Sequence, residues 1–309
     1  QLYGSLIDIL RNSAPLMLVA LGMTLVIATR GIDLSVGAIM AVSGAVALTI
    51  IEASPEPGNL GVVAIAIAAG VGTSLVLGAW NGFLVAVLGI QPIIATLVLM
   101  LAGRGVALLI TRGFITTINS EPYQFMAQGY VFGLPFALCV SVAAIVVVAV
   151  VQRRTALGML TEAVGINPEA SRLAGVRSRG IIWGTYIASG TLAGIAGILY
   201  SSNIMAADAN AAGMYIELDA ILAVVLGGTS LAGGKFSIAG TVVGVFTIQT
   251  LKTTITFLGV PPAVSPVFMA GAVLVVVLLQ SRRVRGWFTS GRRPAARPVS
   301  TRSDAKVLS

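Results

Sequence analysis

Residues 132–154 read FGLPFALCVSVAAIVVVAVVQRR, and no charged side chain occurs in this stretch before Arg153 and Arg154. A bilayer hydrocarbon core is about 30 Å thick, and an α-helix needs about 20 apolar residues to cross it. The strands of a membrane β-barrel would alternate apolar and polar residues, and residues 145–151, IVVVAVV, do not alternate. The stretch therefore predicts a membrane-spanning α-helix.

The rest of the chain has the same character. Hydrophobic residues make up 57% of its 309 residues and charged residues 10%, and the mean hydropathy is +0.98. A soluble domain carries about 25% charged residues, so a soluble chain of this composition would lack a polar surface. We predict an all-α, polytopic integral membrane protein. Its nine predicted apolar segments are residues 7–29, 34–51, 60–88, 92–110, 132–151, 181–202, 218–231, 238–257 and 264–280.

The net charge of +8 is concentrated at the C-terminal end of the chain. Eight of the 19 basic residues lie between Arg282 and Lys306, after the last apolar segment. Such a tail sets topology and contacts anionic lipid head groups, so we do not infer nucleic-acid binding. The sequence thus predicts a transmembrane domain over residues 1–281 and a disordered cytoplasmic tail over residues 282–309.

The chain contains no histidine and a single cysteine, Cys139, inside an apolar segment. This composition excludes histidine-based catalysis, Cys/His metal sites and intrachain disulfides. We therefore predict no catalytic residue and no metal site in this chain.

Lysine and arginine stay on the cytoplasmic side of short loops. Residues 153–179 contain five arginines, and residues 282–285 contain three, so both regions are predicted to be cytoplasmic. The loops predicted on the outer side of the membrane contain a single basic residue, Arg112, and five acidic residues: Glu52, Glu56, Glu121, Asp208 and Glu217. The same count places Gln1 outside, which predicts one further span before it and ten spans in the full-length protein.

The segment 218–231 is shorter than a bilayer span and ends in a glycine-rich sequence, Gly227-Gly228 and then Gly233-Gly234. Non-helical backbone at membrane depth is tolerated only inside protein or beside a water-filled cavity. We therefore expect this segment to be broken or to cross only in part, and to belong to the moving or conducting part of the protein.

The same glycine-rich sequence resembles a phosphate-binding loop, but the resemblance fails. That loop requires Gly, four residues and then Gly-Lys-Ser/Thr. Thr229 stands where the first glycine should be, and Phe236 follows Lys235. Any ATPase that drives this protein must be a separate subunit, which would carry the ATP and Mg²⁺.

The cytoplasmic region 153–180 contains a short capped helix. Asn167 is a good N-cap, Pro168 suits the first helical position, Glu169 complements the helix dipole and Gly175 suits the C-terminal end. Small side chains around this helix leave room for a partner surface. An ordinary surface helix is the alternative.

This region resembles the coupling loop of ATP-binding-cassette importer permeases of the monosaccharide branch, which is related to the ribose permeases. Residues 31–37, GIDLSVG, and 217–221, ELDAI, followed by 227–234, GGTSLAGG, resemble signatures of that family. Residues 102–107, AGRGVA, and 207–210, ADAN, look most like permeases of galactofuranose-type importers.

The resemblance implies a bacterial inner-membrane importer that works by alternating access. An ATP-binding subunit, a periplasmic or lipid-anchored sugar-binding protein and a second permease chain, identical or homologous, would be its partners. Galactofuranose is the first substrate candidate, and ribose or another pentose or hexose is the alternative. A secondary transporter or channel is less well supported, because such proteins often carry intramembrane carboxylates as ion relays.

Two sets of residues are candidates for function. Arg104 lies inside an apolar run, where an ionisable side chain must face protein, a cavity or a counter-charge. The candidate substrate path consists of Asn81, Gln91, Arg104, Asp208, Asn210, Glu217 and Asp219. The residues expected to couple to the ATPase are Glu162, Ala163, Gly165, Asn167, Glu169, Arg172 and Gly175.

Small residues also predict close helix packing. Gly190, Gly194 and Gly197 recur at the spacing that lets two membrane helices approach each other, and Gly240 and Gly244 repeat it. Asp33 precedes an apolar run, where a carboxylate can cap a helix. We expect packing and capping roles for these residues.

Overall fold

The computed structural model describes residues 2–259 and seven isolated positions between 261 and 274. It divides into one unit, Gln1–Val260, and a second, Pro261–Ser309. The predicted apolar segment 264–280 lies outside the described residues except at those positions, and the basic tail 282–309 lies wholly outside them.

The helices are α1 (Leu2–Ala28), α2 (Val36–Glu52), α3 (Leu60–Ala86), α4 (Pro92–Ile110), α5 (Glu121–Gln128), α6 (Phe136–Arg154), α7 (Ala156–Ile166), α8 (Pro168–Leu173), α9 (Ser178–Ile204), α10 (Ile216–Leu226) and α11 (Ile238–Phe257).

The chain is a polytopic, all-α membrane protein. Six helices are long and apolar enough to cross a bilayer, namely α1, α3, α4, α6, α9 and α11. The segment predicted at 34–51 is the 17-residue helix α2, which is almost entirely buried. The weak segment 218–231 is α10, which has only 11 residues and ends at Leu226. The count of nine apolar segments is therefore not confirmed: eight of them fall within residues 2–259, and six of these eight are helices long enough to cross a bilayer.

Helix α9 is the centre of the bundle and packs against α1, α2 and α3. Its glycines make this possible. A Cβ on Gly190 would lie 2.7 Å from the Cα of Gly78 on α3, and one on Gly197 would overlap the carbonyl of Met40 on α2. Both approaches leave no space for a side chain, which confirms the predicted packing role.

Helices α10 and α11 pack in the same way. A Cβ on Gly240 would overlap the backbone of Gly227, and one on Gly244 would overlap the carbonyl of Ala223. The predicted small-residue contact of α11 is therefore also confirmed, and its partner is the short helix α10.

Replacing Gly197 by valine is expected to lower the stability of the bundle by about 1–3 kcal/mol, because overpacking forces the α2 and α9 backbones apart. The measurement is thermal unfolding of the purified chain in detergent. Gly184→Val is the matched control on the same helix, since no atom lies within 4 Å of a Cβ there. Equal melting temperatures for the two variants would contradict this packing assignment.

The segment between α4 and α6 contains structure that the sequence did not indicate. Strand β1 (Thr116–Thr117) pairs antiparallel with β4 (Ala206–Ala207), at the end of α9, and a second small pair joins β2 (Tyr130–Val131) to β3 (Leu134–Pro135). Helix α5 is fixed to the same end of α9, because Ser202 Oγ donates to the carbonyl of Tyr123 at 2.6 Å. These contacts build a cap over that end of the bundle.

Candidate functional site

Residues 153–180, which we call the coupling segment, comprise the last two residues of α6, the helices α7 and α8, and the first turn of α9. The predicted cap is confirmed: Asn167 Oδ1 accepts hydrogen bonds from the backbone N–H groups of Glu169 at 3.1 Å and Ala170 at 3.0 Å. Pro168 is the first residue of α8. Gly175 has φ +86, which suits its position beyond the helix end. The sequence thus predicted α8 and both of its ends.

Helix α7 was not predicted as a helix of its own. Its sequence, ALGMLTEAVGI, is too short to cross a bilayer and has a single charge, Glu162. Thr155 caps it by accepting a hydrogen bond from the backbone N–H of Leu157. Ala163 is partly buried within it, and its carbonyl accepts from the N–H of Asn167 at 3.0 Å, which joins α7 to α8.

One face of the coupling segment is open. Glu162, Glu169 and Arg172 are exposed. Arg172 donates two hydrogen bonds to the Glu169 carboxylate, at 3.0 and 2.6 Å, and this hydrogen bonding lowers the pKa of Glu169. The face is also apolar, since Met159 is 70% exposed and Leu173 is 76% exposed. Large apolar side chains among charges are typical of a protein-binding surface.

A neighbouring face of α7 is buried against the end of α1. Gly165 is the point of closest approach, because a Cβ there would overlap the carbonyl oxygen of Ala28 and lie 2.5 Å from the backbone nitrogen of Gly234. The N–H of Gly234 in turn donates to the Ala28 carbonyl at 2.9 Å. Three segments distant in sequence therefore meet here: α7, the end of α1 and the loop after α10.

Arg30 forms hydrogen bonds to two of these segments. Its Nε donates to the carbonyl of Ala232 at 3.0 Å, and its Nη2 donates to the carbonyl of Ile166. Its backbone has φ +65, a conformation that side-chain-bearing residues seldom adopt. We call this contact the junction, and it consists of Ala28, Arg30, Gly165, Ile166, Ala232, Gly233 and Gly234. Sequence reasoning missed Arg30, because an arginine after an apolar run reads only as a marker of topology.

The candidate substrate-path residues do not converge on one place. Arg104 faces the protein interior, as predicted, and its Nη1 donates to the carbonyls of Ala209 and Ala212. Asp208 accepts from the backbone N–H groups of Asn210 and Ala211, at 2.9 and 3.1 Å. The Asn210 side chain is exposed. Arg104 therefore holds the 208–213 loop in place, and its partners there are main-chain atoms.

Glu217 is buried where this loop meets α2. A Cβ on Gly37 would overlap the carbonyl of Gly213 and lie 2.8 Å from Glu217 Oε2. Arg104 lies close enough to Glu217 and Asp208 for their charges to interact. Arg104, Asp208 and Glu217 therefore lie near one another, while the hydrogen bonds of Arg104 go to the main chain of the 208–213 loop.

Asn81 and Gln91 lie elsewhere. Asn81 is buried, and its Nδ2 donates to Ser35 Oγ at 2.8 Å. Ser35 donates to the buried carboxylate of Asp33, which also accepts from Ser189 Oγ at 2.9 Å. Asp33 therefore anchors the turn between α1 and α2 to α9, while the N-cap of α2 is Ser35.

Two further features concern Gln91 and Asp219. Gln91 is exposed at the N-cap of α4 and makes no capping hydrogen bond. Asp219, near the start of α10, pairs with Lys252 of α11. Both Asp219 and Lys252 line a cavity of about 280 Å³ between α1, the end of α9, α10 and α11.

The comparisons with known proteins agree with this architecture. The family described as "Branched-chain amino acid transport system / permease component" matches residues 5–278. The galactofuranose transporter permease of Escherichia coli (strain K12) is 49% identical over 92% of this chain and 81% of its own length. The fructose import permease of Bifidobacterium longum is 42% identical over 96% of this chain and 82% of its own length. The ribose import permease of Bacillus subtilis is 38% identical over 90% of this chain and 85% of its own length.

No solved structure matches the chain. The family match covers nearly all of the described helices, together with the coupling segment and the junction. By its family's description the chain is one component of a transport system, and it crosses the membrane several times. The chain therefore belongs to the family of permease components of branched-chain amino acid transport systems, within which the relatives named above are sugar permeases.

Proposed function

We propose that this chain is the permease subunit of an ATP-driven importer for a monosaccharide of the galactofuranose type. The observation that carries the proposal is the 49% identity to a galactofuranose transporter permease over 92% of the chain. Fructose and ribose permeases follow at 42% and 38% identity. A branched-chain amino acid is the second candidate substrate, because the family description names that class.

The coupling segment supports a separate ATP-binding subunit on the cytoplasmic face. Its exposed face carries Glu162, Glu169 and Arg172 beside large apolar side chains, and its buried face ends in the junction. A subunit that pulls on α7 and α8 would therefore act on the end of α1 and on the loop after α10 together. ATP and Mg²⁺ would be bound by that subunit, and this chain would supply no ATPase site.

The remaining partners follow from the same proposal. The opposite end of the bundle, capped by α5 and the small strand pairs, would receive sugar from a binding protein on the outer face. A second permease chain, identical or homologous, would complete the transport path. The arginines of the coupling segment favour the cytoplasmic side for it, and the arginines at 282–285 favour the same side for the C-terminal tail.

Uptake into proteoliposomes tests the function. The chain would be reconstituted with its ATP-binding subunit and its binding protein, and labelled galactofuranose, ribose, fructose and leucine would be offered with ATP inside. Galactofuranose uptake that requires ATP is the expected result. Uptake of leucine alone would refute the sugar assignment, and uptake driven by an ion gradient without the ATP-binding subunit would indicate a secondary transporter.

Glu162→Trp is expected to reduce uptake about tenfold while the chain remains folded, because the exposed side chain lies on the partner-facing surface of α7. Co-purification of the ATP-binding subunit and uptake would both be measured. Glu52→Trp is the control, since Glu52 is an exposed carboxylate at the far end of α2. Full uptake by the Glu162 variant would show that this surface does not receive the ATP-binding subunit.

A further inference from the structure

The cavity beside Asp219 is lined by residues of three long helices, α1, α9 and α11, and by residues of α10 and of the loop before it. Six polar residues line it: Arg11, Asn12, Asn203, Asp219, Gln249 and Lys252. Its volume of about 280 Å³ is near the lower end of the range for small-molecule pockets, about 300–1,000 Å³. Polar side chains inside an apolar bundle need a hydrated or ligand-filled space. The cavity supplies that space.

The charged side chains that line the cavity each have an ion-pair partner, although Arg11 Nε is buried without a hydrogen-bond partner among the described residues. Arg11 Nη2 lies 3.0 Å from Asp8 Oδ1, and Lys252 is paired with Asp219. A charged ligand would leave one of these groups without its partner, which is costly in a partly buried site. The cavity therefore favours an uncharged, polar ligand over a zwitterion such as an amino acid.

Three carboxamides in the cavity are available to such a ligand. Asn12 on α1 is exposed, and Asn203 on α9 and Gln249 on α11 are partly buried. None of these three side chains makes a hydrogen bond to another residue between 2 and 259 that the structure describes. Each carboxamide offers two N–H donors and one carbonyl acceptor. Sugar hydroxyls donate and accept in the same way, so three carboxamides on three helices match a polyol. Tyr200 adds a partly buried aromatic ring to the same wall.

We propose that this cavity is a monosaccharide subsite contained within a single chain, with Asn12, Asn203 and Gln249 as its hydrogen-bonding residues. The inference rests on the proposed function and states where in the chain the sugar would bind. The subsite lies away from the coupling segment along α1 and α9. Asn12 is in the first half of α1, whose last residue enters the junction, and Asn203 is at the end of α9, whose first turn belongs to the coupling segment. A movement of the junction is thereby transmitted along these two helices to the carboxamides.

Direct binding tests the subsite without the binding protein. The full chain in lipid nanodiscs would be titrated with methyl galactofuranoside, ribose and leucine by ligand-observed NMR. Gln249→Leu and Asn203→Leu are each expected to weaken sugar binding about threefold to tenfold, the effect of one lost hydrogen bond. Thr254→Val is the control, because Thr254 is exposed on the same helix as Gln249 and bonds only the carbonyl of Thr250. Gln249→Met replaces the leucine variant should the latter fail to fold by size-exclusion chromatography.

The outcomes separate the subsite from the proposed function. Saturable sugar binding that weakens in both variants and persists in the control supports the subsite. Sugar binding or uptake that is unchanged in the variants overturns the subsite and leaves the proposed function standing. Binding of leucine but of neither sugar overturns both, and so does an unaltered chain that binds no sugar while its importer takes up leucine. An unaltered chain that binds no sugar, in an importer that does take up sugar, overturns the subsite alone.

Discussion

Gly165→Leu is expected to reduce ATP-driven uptake at least about tenfold, which corresponds to the loss of a typical coupling free energy between two sites. The reason is steric. A Cβ at this position would overlap the Ala28 carbonyl and lie 2.5 Å from the Gly234 nitrogen, so α7 cannot remain docked at the junction. We expect the long membrane helices to stay folded, because α9 packs against α1, α2 and α3 along its length.

The measurement for Gly165→Leu combines uptake with ATP hydrolysis by the assembled importer. Hydrolysis that continues while uptake is lost would show that the two are uncoupled. Gly180→Leu is the matched control, because Gly180 also lies in the coupling segment and no atom lies within 4 Å of a Cβ there. Undiminished uptake by the Gly165 variant would show that the junction does not transmit the movement of the ATP-binding subunit.

Arg30→Ala is expected to reduce uptake by about tenfold as well, through the same coupling. The guanidinium joins the carbonyl of Ile166, at the end of α7, to that of Ala232, in the loop after α10. Arg30→Lys should restore uptake only in part, because an ammonium group lacks the fixed fork that reaches two acceptors at once. Uptake that is highest with arginine, lower with lysine and lowest with alanine would distinguish a positioning role of Arg30 from a simple requirement for positive charge.

Arg154→Ala controls for the loss of a cytoplasmic positive charge. Arg154 is exposed at the end of α6, outside the junction. Chain insertion would be checked by accessibility labelling, since removal of an arginine can alter topology. Equal uptake by the Arg30 lysine and alanine variants, both near the unaltered level, would contradict the assignment.

The long helices could be predicted from the sequence because hydropathy is a local property. Six predicted segments coincide with α1, α3, α4, α6, α9 and α11, and α8 was predicted from Asn167 to Gly175 by its caps. Helix α7 was missed because its 11 residues are too few to cross a bilayer, so hydropathy gave no separate signal for it.

The hydrogen-bond partners of Arg30 in the junction and of Arg104 in the candidate substrate path could not be predicted from the sequence. The partners of Arg30 are 136 and 202 residues away along the chain, and they are main-chain carbonyls. Arg104 was predicted to face the interior, and it does, but its hydrogen-bond acceptors are also main-chain atoms. Every residue carries a carbonyl, so no side-chain pattern identifies these partners. The carboxamide cavity likewise depends on which helix ends come together.

The shortness of α10 has a consequence for how the protein is made. Eleven residues extend roughly 16 Å at about 1.5 Å per residue, which is about half of a hydrocarbon core of about 30 Å. Such a helix cannot partition into the bilayer on its own as it leaves the translocon. The loop that follows it is completed by the end of α1, through the Gly234–Ala28 hydrogen bond, and the helix itself by α11, through Gly227 and Gly240. Helix α10 must therefore enter the membrane together with neighbours synthesised both before and after it, so its insertion is completed only when α11 has emerged.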